Sequence, residues 1–159
     1  MNNRVVLDVA CGSKMFWFNK NHPNVIYNDI RREEHVLCDG RVLKIAPDCT
    51  QDFTMLNFPE NSFKLVVFDP PHVKSFGKNS WMCKKYGKLT PGWESIIKSG
   101  FDQCMRVLDV HGTLIFKWNE TEIPLSKILE VIQEKPLFGH TSGRQSKTIW
   151  MTFMKFAKN

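Results

Sequence analysis

The sequence predicts a single α/β domain over residues 1–159, with a mostly parallel sheet and an antiparallel strand at the C-terminal end. Two observations lead to this prediction. Short apolar segments alternate with amphipathic ones, which is typical of parallel strands joined by helices on both faces of a sheet. The last two apolar segments are separated by a loop too short for a helical crossover, so we expect those strands to pair antiparallel.

Each element follows from a local signal in the sequence. The predicted strands, which are short and rich in β-branched or aromatic residues, span 4–9, 25–28, 48–50, 64–68, 113–118, 137–138 and 148–156. The predicted helices, which have apolar residues at helical spacing or a capping signal, span 14–20 with Ser13 as N-cap, 93–108 and 124–135. Residues 31–46 are interpreted as a hairpin or loop insertion because Asp39-Gly40 is a turn signal.

Cysteine content and hydropathy exclude several classes of protein. The five cysteines are odd in number and form no C-x-x-C pair, which argues against a disulfide framework and against a zinc site. Asp8 interrupts the first apolar run, so a signal peptide is not expected, and no apolar run reaches membrane-spanning length. We therefore expect a cytoplasmic protein with no bound metal and no membrane partner.

The charge of the chain and its distribution favour an anionic partner. The formal net charge is +6. Five lysines are close together in the sequence that follows residue 72, namely Lys74, Lys78, Lys84, Lys85 and Lys88. A basic cluster of this kind is typical of nucleic-acid binding, although many basic proteins bind no nucleic acid.

Carboxylates follow four of the predicted strands. Asp8, Asp29, Asp52 and Asp69 stand at or just after strand ends, and the carboxyl ends of parallel strands are where α/β sheets bind ligands. The spacing of Gly12 and Asp29 suits a loop that approaches a ligand closely and an acid that accepts ribose hydroxyls. A G-x-G-x-x-G fingerprint is absent, and Asp8 would repel phosphate. The pattern therefore favours a nucleoside ligand without phosphates, with a cationic or amino group.

The stretch Asp69-Pro70-Pro71-His72 comes directly after an apolar strand. Neither proline has a backbone N–H, so the strand must end at Asp69. Rigid prolines at this position fix a carboxylate and a backbone carbonyl at the mouth of the predicted sheet.

Taken in order, these segments resemble the class I S-adenosylmethionine-dependent methyltransferases. Residues 7–12 (LDVACG) are similar to the first motif of that family, and Asn28-Asp29 to its ribose-binding acid. Asp52-Phe53 resembles the adenine-binding segment. Asp69-Pro70-Pro71-His72 resembles the [DNS]-P-P-[YFW] motif of enzymes that methylate nitrogen in planar groups. The resemblance implies a Rossmann-like methyltransferase sandwich and places cofactor contacts at Asp8, Ala10, Cys11, Gly12, Asp29, Asp52, Phe53 and Asp69.

The resemblance also implies a reaction and its residues. In this family the motif accepts hydrogen bonds from an exocyclic amine, which here would involve Asp69 and the carbonyl of Pro70. Pro71 would stiffen that carbonyl, and His72 stands where the family has an aromatic residue that stacks on a flipped target base. We expect substrate contacts from His72 and from residues of two loops, namely Lys74, Lys78, Trp81, Lys84, Lys85, Tyr86 and Arg144.

The sequence leaves the substrate and the partners open. Nucleic acid, either DNA or RNA, is the leading expectation for the methyl acceptor; the alternatives are a protein glutamine, a small molecule, or a non-catalytic binding module. The first predicted strand begins near residue 4, so we expect no N-terminal lid and weak sequence preference, unless a second copy or a partner subunit adds specificity. A chain this small suits a phage-encoded or mobile-element enzyme.

Overall fold

The computed structural model describes residues 4–75, 77 and 80–157, apart from the side chains of Trp81, Met82 and Tyr86. The strands are β1 (Val6–Asp8), β2 (Val25–Tyr27), β3 (Glu33–Val36), β4 (Val42–Ile45), β5 (Phe63–Phe68), β6 (Leu108–Asn119), β7 (Phe138–Thr141) and β8 (Thr148–Met154). The helices are α1 (Trp81–Tyr86), α2 (Trp93–Val107) and α3 (Leu125–Ile132). Within the described part of the chain, no helix is long and apolar enough to cross a membrane.

A six-stranded sheet of order β2-β1-β5-β6-β8-β7 forms the centre of the fold. The first four of these strands run parallel, and β8 pairs antiparallel with both β6 and β7. The predicted mostly parallel sheet with an antiparallel C-terminal strand is confirmed. Because β1, β2, β5 and β6 end at the same edge, the residues that follow them are brought together there.

One face of the sheet packs against both long helices. Along β6, Leu114, Phe116 and Trp118 are buried and alternate with half-exposed residues. These three side chains belong to a core cluster with Ile97, Phe101 and Cys104 of α2, Ile128 and Ile132 of α3, and Met151 and Phe153 of β8. α2 and α3 also contact each other. The sequence predicts helices on both faces of the sheet, and the two long helices, α2 and α3, lie on the same face.

The opposite face of β1 and β2 is covered by the β1–β2 connection, which forms turns and not the helix predicted over residues 14–20. Lys14 has a φ of 57°, in the left-handed region, which stops a helix at its first residue. The aromatic residue Trp17 packs beside Cys11, Val25 and Tyr27. Tertiary packing of a bulky side chain thus replaces helical hydrogen bonding here.

The predicted strand over residues 48–50 is reduced to one parallel bridge between Asn28 and Cys49. The side chain of Asp48 explains the loss, because its Oδ2 accepts the backbone N–H of Tyr27 at 3.0 Å, a donor that a paired strand would use. The predicted hairpin in residues 31–46 is confirmed as β3 and β4.

Gly100 on α2 is a close-packing position that supports the site described below. A Cβ atom there would lie 2.6 Å from Cδ2 of Phe53 and 2.8 Å from Cζ of Phe68. We expect Gly100→Ala to destabilise the fold by about 1–2 kcal/mol, because overpacking outweighs the gain in helix propensity. Urea unfolding measures this, with Gly143→Ala as the matched control because its Cβ would meet no atom within 4 Å. Equal stability of the two variants would contradict the expectation.

Candidate active site

A cavity of about 240 Å³ lies at the carboxyl edge of the parallel strands. It brings together nine of the predicted site residues: Ala10, Cys11, Gly12, Asp29, Phe53, Asp69, Pro70, Pro71 and Lys85. Further residues of the cavity wall were not predicted as site residues, among them Phe16, Ile30, Arg31, Lys88 and Lys117. The cavity therefore joins the loop after β1, the acid after β2 and the Asp-Pro-Pro segment after β5.

Asp29 ties the glycine loop to the end of β2. Its Oδ2 accepts the backbone N–H of Gly12 at 2.8 Å, and Gly12 has a φ of 50°, which favours glycine. Its Oδ1 accepts both the backbone N–H and the Nε–H of Arg31, at 2.9 and 3.2 Å. Arg31 in turn donates from Nη1 to the carbonyl of Lys84 at 2.8 Å, so one guanidinium connects Asp29 to α1.

Asp8 lies beneath this loop and does not line the cavity. It is fully buried, and it accepts the indole N–H of Trp17 at 2.7 Å and the backbone N–H of Ala10 at 3.3 Å. The pKa of Asp8 is raised to about 7, chiefly by burial and also by repulsion from Asp69 and Asp29, while the hydrogen bonds from Trp17 and Ala10 oppose the rise. The position of Asp8 suits holding the loop in shape.

Asp69 is paired with a lysine that was not among the predicted site residues. Nζ of Lys117, on β6, donates to Oδ2 of Asp69 at 2.7 Å, and the two side chains are only 19% and 14% exposed. Burial raises the pKa of Asp69, and the positive charge and hydrogen bond of Lys117 oppose that rise. The signal in the sequence was a single lysine within the apolar run from Leu114 to Trp118.

His72 does not line the cavity. It is half-buried, with its ring centroid 6.2 Å from that of Trp118 at an interplanar angle of 74°. Burial lowers the pKa of His72, opposed by the nearby Asp69 carboxylate. The imidazole is therefore neutral near pH 7, and it packs edge-on against a core residue.

Four other predicted site residues also lie outside the cavity wall. Asp52 is exposed, and its Oδ1 accepts the N–H and O–H of Thr54 in a local turn. Phe53 beside it does reach the cavity, with its ring centroid 5.3 Å from that of Phe68. Lys74 and Arg144 are exposed, and Lys84 is half-buried.

The remaining predicted substrate contacts are placed only in part. Lys78 lies outside the described residues. Trp81 and Tyr86 belong to α1, but their side chains are outside the described part of the structure. Lys85 of the same helix does line the cavity.

The wall of the cavity carries more positive than negative charge. Arg31, Lys85, Lys88 and Lys117 line it together with the carboxylates of Asp29 and Asp69. Cys11 also lines it, but burial raises the pKa of this thiol, so it stays protonated and is a poor nucleophile. Among the described residues, no group of three or more His, Cys, Asp or Glu is arranged to hold a metal ion.

Comparisons with known proteins identify the fold. No protein-family model matches the sequence, and no curated protein matches it. Among solved structures, a methyltransferase from Methanosarcina mazei that depends on S-adenosylmethionine (SAM) superposes with a TM-score of 0.59 at 8% identity, over 99% of this chain and 95% of the other. An rRNA methylase from Streptococcus thermophilus superposes with a TM-score of 0.53 at 10% identity, over 98% and 89%.

A third solved structure is the 1,6-didemethyltoxoflavin-N1-methyltransferase of Burkholderia thailandensis with bound 1,6-didemethyltoxoflavin and S-adenosylhomocysteine. It superposes with a TM-score of 0.54 at 14% identity, over 96% of this chain and 71% of the other. The protein therefore has the Rossmann-like fold of the SAM-dependent methyltransferases. These structures include both an rRNA methylase and a 1,6-didemethyltoxoflavin methyltransferase, so the fold alone does not select a substrate.

Proposed function

We propose that this protein is an enzyme that transfers a methyl group from S-adenosylmethionine to an exocyclic amino group of a nucleic-acid base. One observation carries the proposal: Asp69 and the carbonyl-bearing Pro70 line the same cavity as the Gly12 loop and Asp29. The wall of this cavity thus combines groups that suit an amine, namely the carboxylate of Asp69 and the carbonyl of Pro70, with groups that suit a nucleoside. The latter are the Gly12 loop and Asp29. This arrangement resembles what is expected of the amino-methyltransferases that carry an Asp-Pro-Pro-aromatic motif.

The residues of the cavity fit S-adenosylmethionine. Oδ1 of Asp29 already accepts two hydrogen bonds, but from the described residues Oδ2 accepts only the one from Gly12 and retains a lone pair for a ribose hydroxyl. Ile30 and Phe53 give the wall apolar surface for an adenine ring. When bound, S-adenosylmethionine supplies an electrophilic methyl group whose bond to sulfur breaks as the new bond to nitrogen forms.

The Asp69-Pro70 pair would prepare the acceptor nitrogen. The lone pair of an exocyclic amine is delocalised into its ring, which makes the amine a poor nucleophile. Hydrogen bonds from its two N–H groups to the carboxylate of Asp69 and the carbonyl of Pro70 favour a tetrahedral nitrogen with an available lone pair. Lys117 occupies Oδ2 of Asp69 and its positive charge favours the ionised carboxylate, so Oδ1 can accept from the amine. The proton that the methylated nitrogen loses then passes to Asp69 as the nearest base.

The charge of the wall supports a nucleic-acid acceptor over a neutral one. Among the described residues of the wall, four cations stand beside two carboxylates, which gives this part of the cavity an excess of positive charge. Lys85 and Lys88 lie in the segment that follows the Asp-Pro-Pro motif, next to where an acceptor would enter. Phosphates flanking a target base would be attracted to this edge, whereas a neutral glutamine side chain would gain nothing from it.

Transfer of radiolabelled methyl groups tests the proposal. The purified chain is incubated with labelled S-adenosylmethionine and, separately, with unmodified DNA, total RNA and a protein lysate, and the products are digested and identified. We expect label in an N-methylated nucleoside with the parent chain. The same label should be absent with Asp69→Ala. Label only in protein would overturn the nucleic-acid assignment. No label in any pool would count against the enzyme itself.

Asp29 should control cofactor binding. We expect Asp29→Ala to weaken the binding of S-adenosylhomocysteine by about tenfold to a hundredfold, since each lost hydrogen bond to a charged group costs about 1.5–3 kcal/mol. The chain contains a matched control in Asp39, which accepts the backbone N–H and Nε–H of Arg41 in the same Asp-x-Arg arrangement but is exposed on the β3–β4 hairpin. Calorimetric titration of Asp29→Ala and Asp39→Ala compares them. Equal affinities would remove Asp29 from the cofactor site.

A further inference from the structure

The face of the sheet opposite α2 carries a row of polar and aromatic residues that begins at Asp69. Phe68 pairs with Phe116, so Asp69 stands beside Lys117, and Lys117 pairs directly with Trp150 on β8. Side chains of directly paired residues lie on the same face of a sheet. The row therefore runs from the end of β5 across β6 to β8.

Two rings of this row form a corner around the ammonium group of Lys117. The centroids of Phe16 and Trp150 are 5.4 Å apart, with their planes at 87°. Nζ of Lys117 lies 5.4 Å from the centroid of Phe16 and 5.5 Å from that of Trp150. The same Nζ donates to Asp69, so a single nitrogen atom links the proposed amine-binding carboxylate to both rings.

This corner is accessible and held in place. Phe16 and Trp150 are half-buried; Phe16 and Lys117 line the cavity, and Trp150 packs against Phe16 just outside its wall. The indole N–H of Trp150 donates to Oγ of Ser142 at 2.8 Å, which fixes the orientation of the ring. The flanking residues of β6 on this face, Thr113 and Ile115, are half-exposed, so the sheet is open here.

The residue expected to stack on the acceptor lies elsewhere. His72 is outside the cavity wall, and its ring is edge-on to Trp118, which belongs to the core on the helix face. A planar acceptor bound at Asp69 would then need another aromatic surface. Phe16 and Trp150 are the described aromatic residues that adjoin Asp69 through Lys117.

We infer that Phe16 and Trp150 form the stacking surface for the methyl acceptor, which is a planar nucleobase with an exocyclic amine. This inference rests on the proposed function and specifies how its substrate is held. Stacking on an aromatic side chain tolerates any base, so the surface would select planar rings while Asp69 selects those with an amino group.

Binding of short single-stranded oligonucleotides tests the inference without requiring turnover. A fluorescent strand of mixed sequence, about 12 nucleotides long, is titrated as DNA and as RNA in the presence of S-adenosylhomocysteine. We expect Trp150→Leu and Phe16→Leu each to weaken binding by about fivefold to a hundredfold, with Trp150→Phe retaining most of the affinity. The affinity for S-adenosylhomocysteine should stay within about twofold in both Trp150 variants, because Trp150 is not among the residues of the cavity wall.

Phe156→Leu is the matched control, because Phe156 is also an accessible aromatic residue but lies beside Glu60 and Met105 at a different cavity. Its oligonucleotide affinity should equal that of the parent chain. Should Trp150→Leu fail to fold in thermal melts, Phe16→Leu and Trp150→Phe decide the question. Unchanged binding in Phe16→Leu and Trp150→Leu would overturn the inference, as would equal losses in Trp150→Phe and Trp150→Leu.

Failure of the inference and failure of the proposed function are distinguishable. Suppose that the parent chain methylates nucleosides and that the leucine variants bind oligonucleotides with unchanged affinity. Only the inference about the stacking surface is then overturned. A parent chain that labels only protein overturns the proposed substrate, and the stacking surface with it. A higher KM for oligonucleotide with little change in kcat in Phe16→Leu would support the inference.

Discussion

Replacing Asp69 with Ala should abolish most methyl transfer while leaving S-adenosylmethionine binding within about tenfold of the parent chain, or roughly 1.4 kcal/mol. The carboxylate is expected to act on the acceptor nitrogen, and a preorganised polar group of this kind contributes about 10²–10³ to the rate. Removing it also leaves the ammonium of Lys117 without the partner that it has at 2.7 Å. Single-turnover transfer and equilibrium cofactor binding, measured on the same preparation, separate the two effects.

The chain offers a control for this experiment in another lysine–aspartate pair, at the other end of β5 and β6. Lys64 of β5 pairs with Asp109 of β6 at the opposite end of the sheet, away from the cavity. Asp109→Ala should retain full transfer. If Asp69→Ala lost cofactor binding and transfer to the same extent, Asp69 would be a cofactor residue and not the residue that acts on the amine.

Replacing Lys117 with Met should move the acid limb of the pH–rate profile to higher pH. Transfer requires an ionised Asp69, and burial raises the pKa of that carboxyl while Lys117 opposes the rise. Without the ammonium group of Lys117 the pKa of Asp69 rises further. At any given pH on the acid limb, a smaller fraction of Asp69 is then ionised than in the parent chain. At pH values below this pKa, the rate falls about tenfold for each decrease of one pH unit. Raising the pH should restore part of the lost rate. The rate of transfer, measured from about pH 5 to 10, gives the position of the limb.

Lys117→Arg keeps a cation at this position, and its acid limb should stay close to that of the parent chain. Lys64→Met removes the cation of the distant pair and should leave the profile unchanged. A purely structural role for Lys117 would lower the rate by the same factor at every pH. An unshifted limb in Lys117→Met would therefore exclude the proposed role of this lysine in setting the charge of Asp69.

The strands that carry the site were predictable because local sequence signals determine where they end. The two prolines after Asp69 fix the end of β5, and parallel pairing then places that end beside the residues after β1 and β2. The helix expected over residues 14–20 was not predictable locally, since packing of Trp17 against Tyr27 overrides the capping signal of Ser13. A side-chain hydrogen bond from Asp48 likewise replaced an expected strand pair.

Which charged and aromatic side chains become neighbours in the site depends on the register of strand pairing, and the sequence does not specify that register. Lys117 and Trp150 are far apart in the sequence and become neighbours only through the pairing of β6 with β8. Gly12, Asp29 and Asp69, in contrast, follow from topology alone, because each stands at or near a strand end. His72 illustrates the limit of motif transfer: it directly follows the two prolines, as the motif requires, but its ring packs on Trp118.

The position of β1 inside the sheet has a consequence for the order of folding. β1 pairs on one side with β2, which is close in sequence, and on the other with β5, where Val6 faces Leu65. Loop-closure entropy must be overcome before this second, distant pairing contributes any stability. The cavity includes residues from both sides of that pairing, so it forms only after the long-range step. A chain emerging from the ribosome would therefore have its β1–β2 pair available early and its binding cavity late.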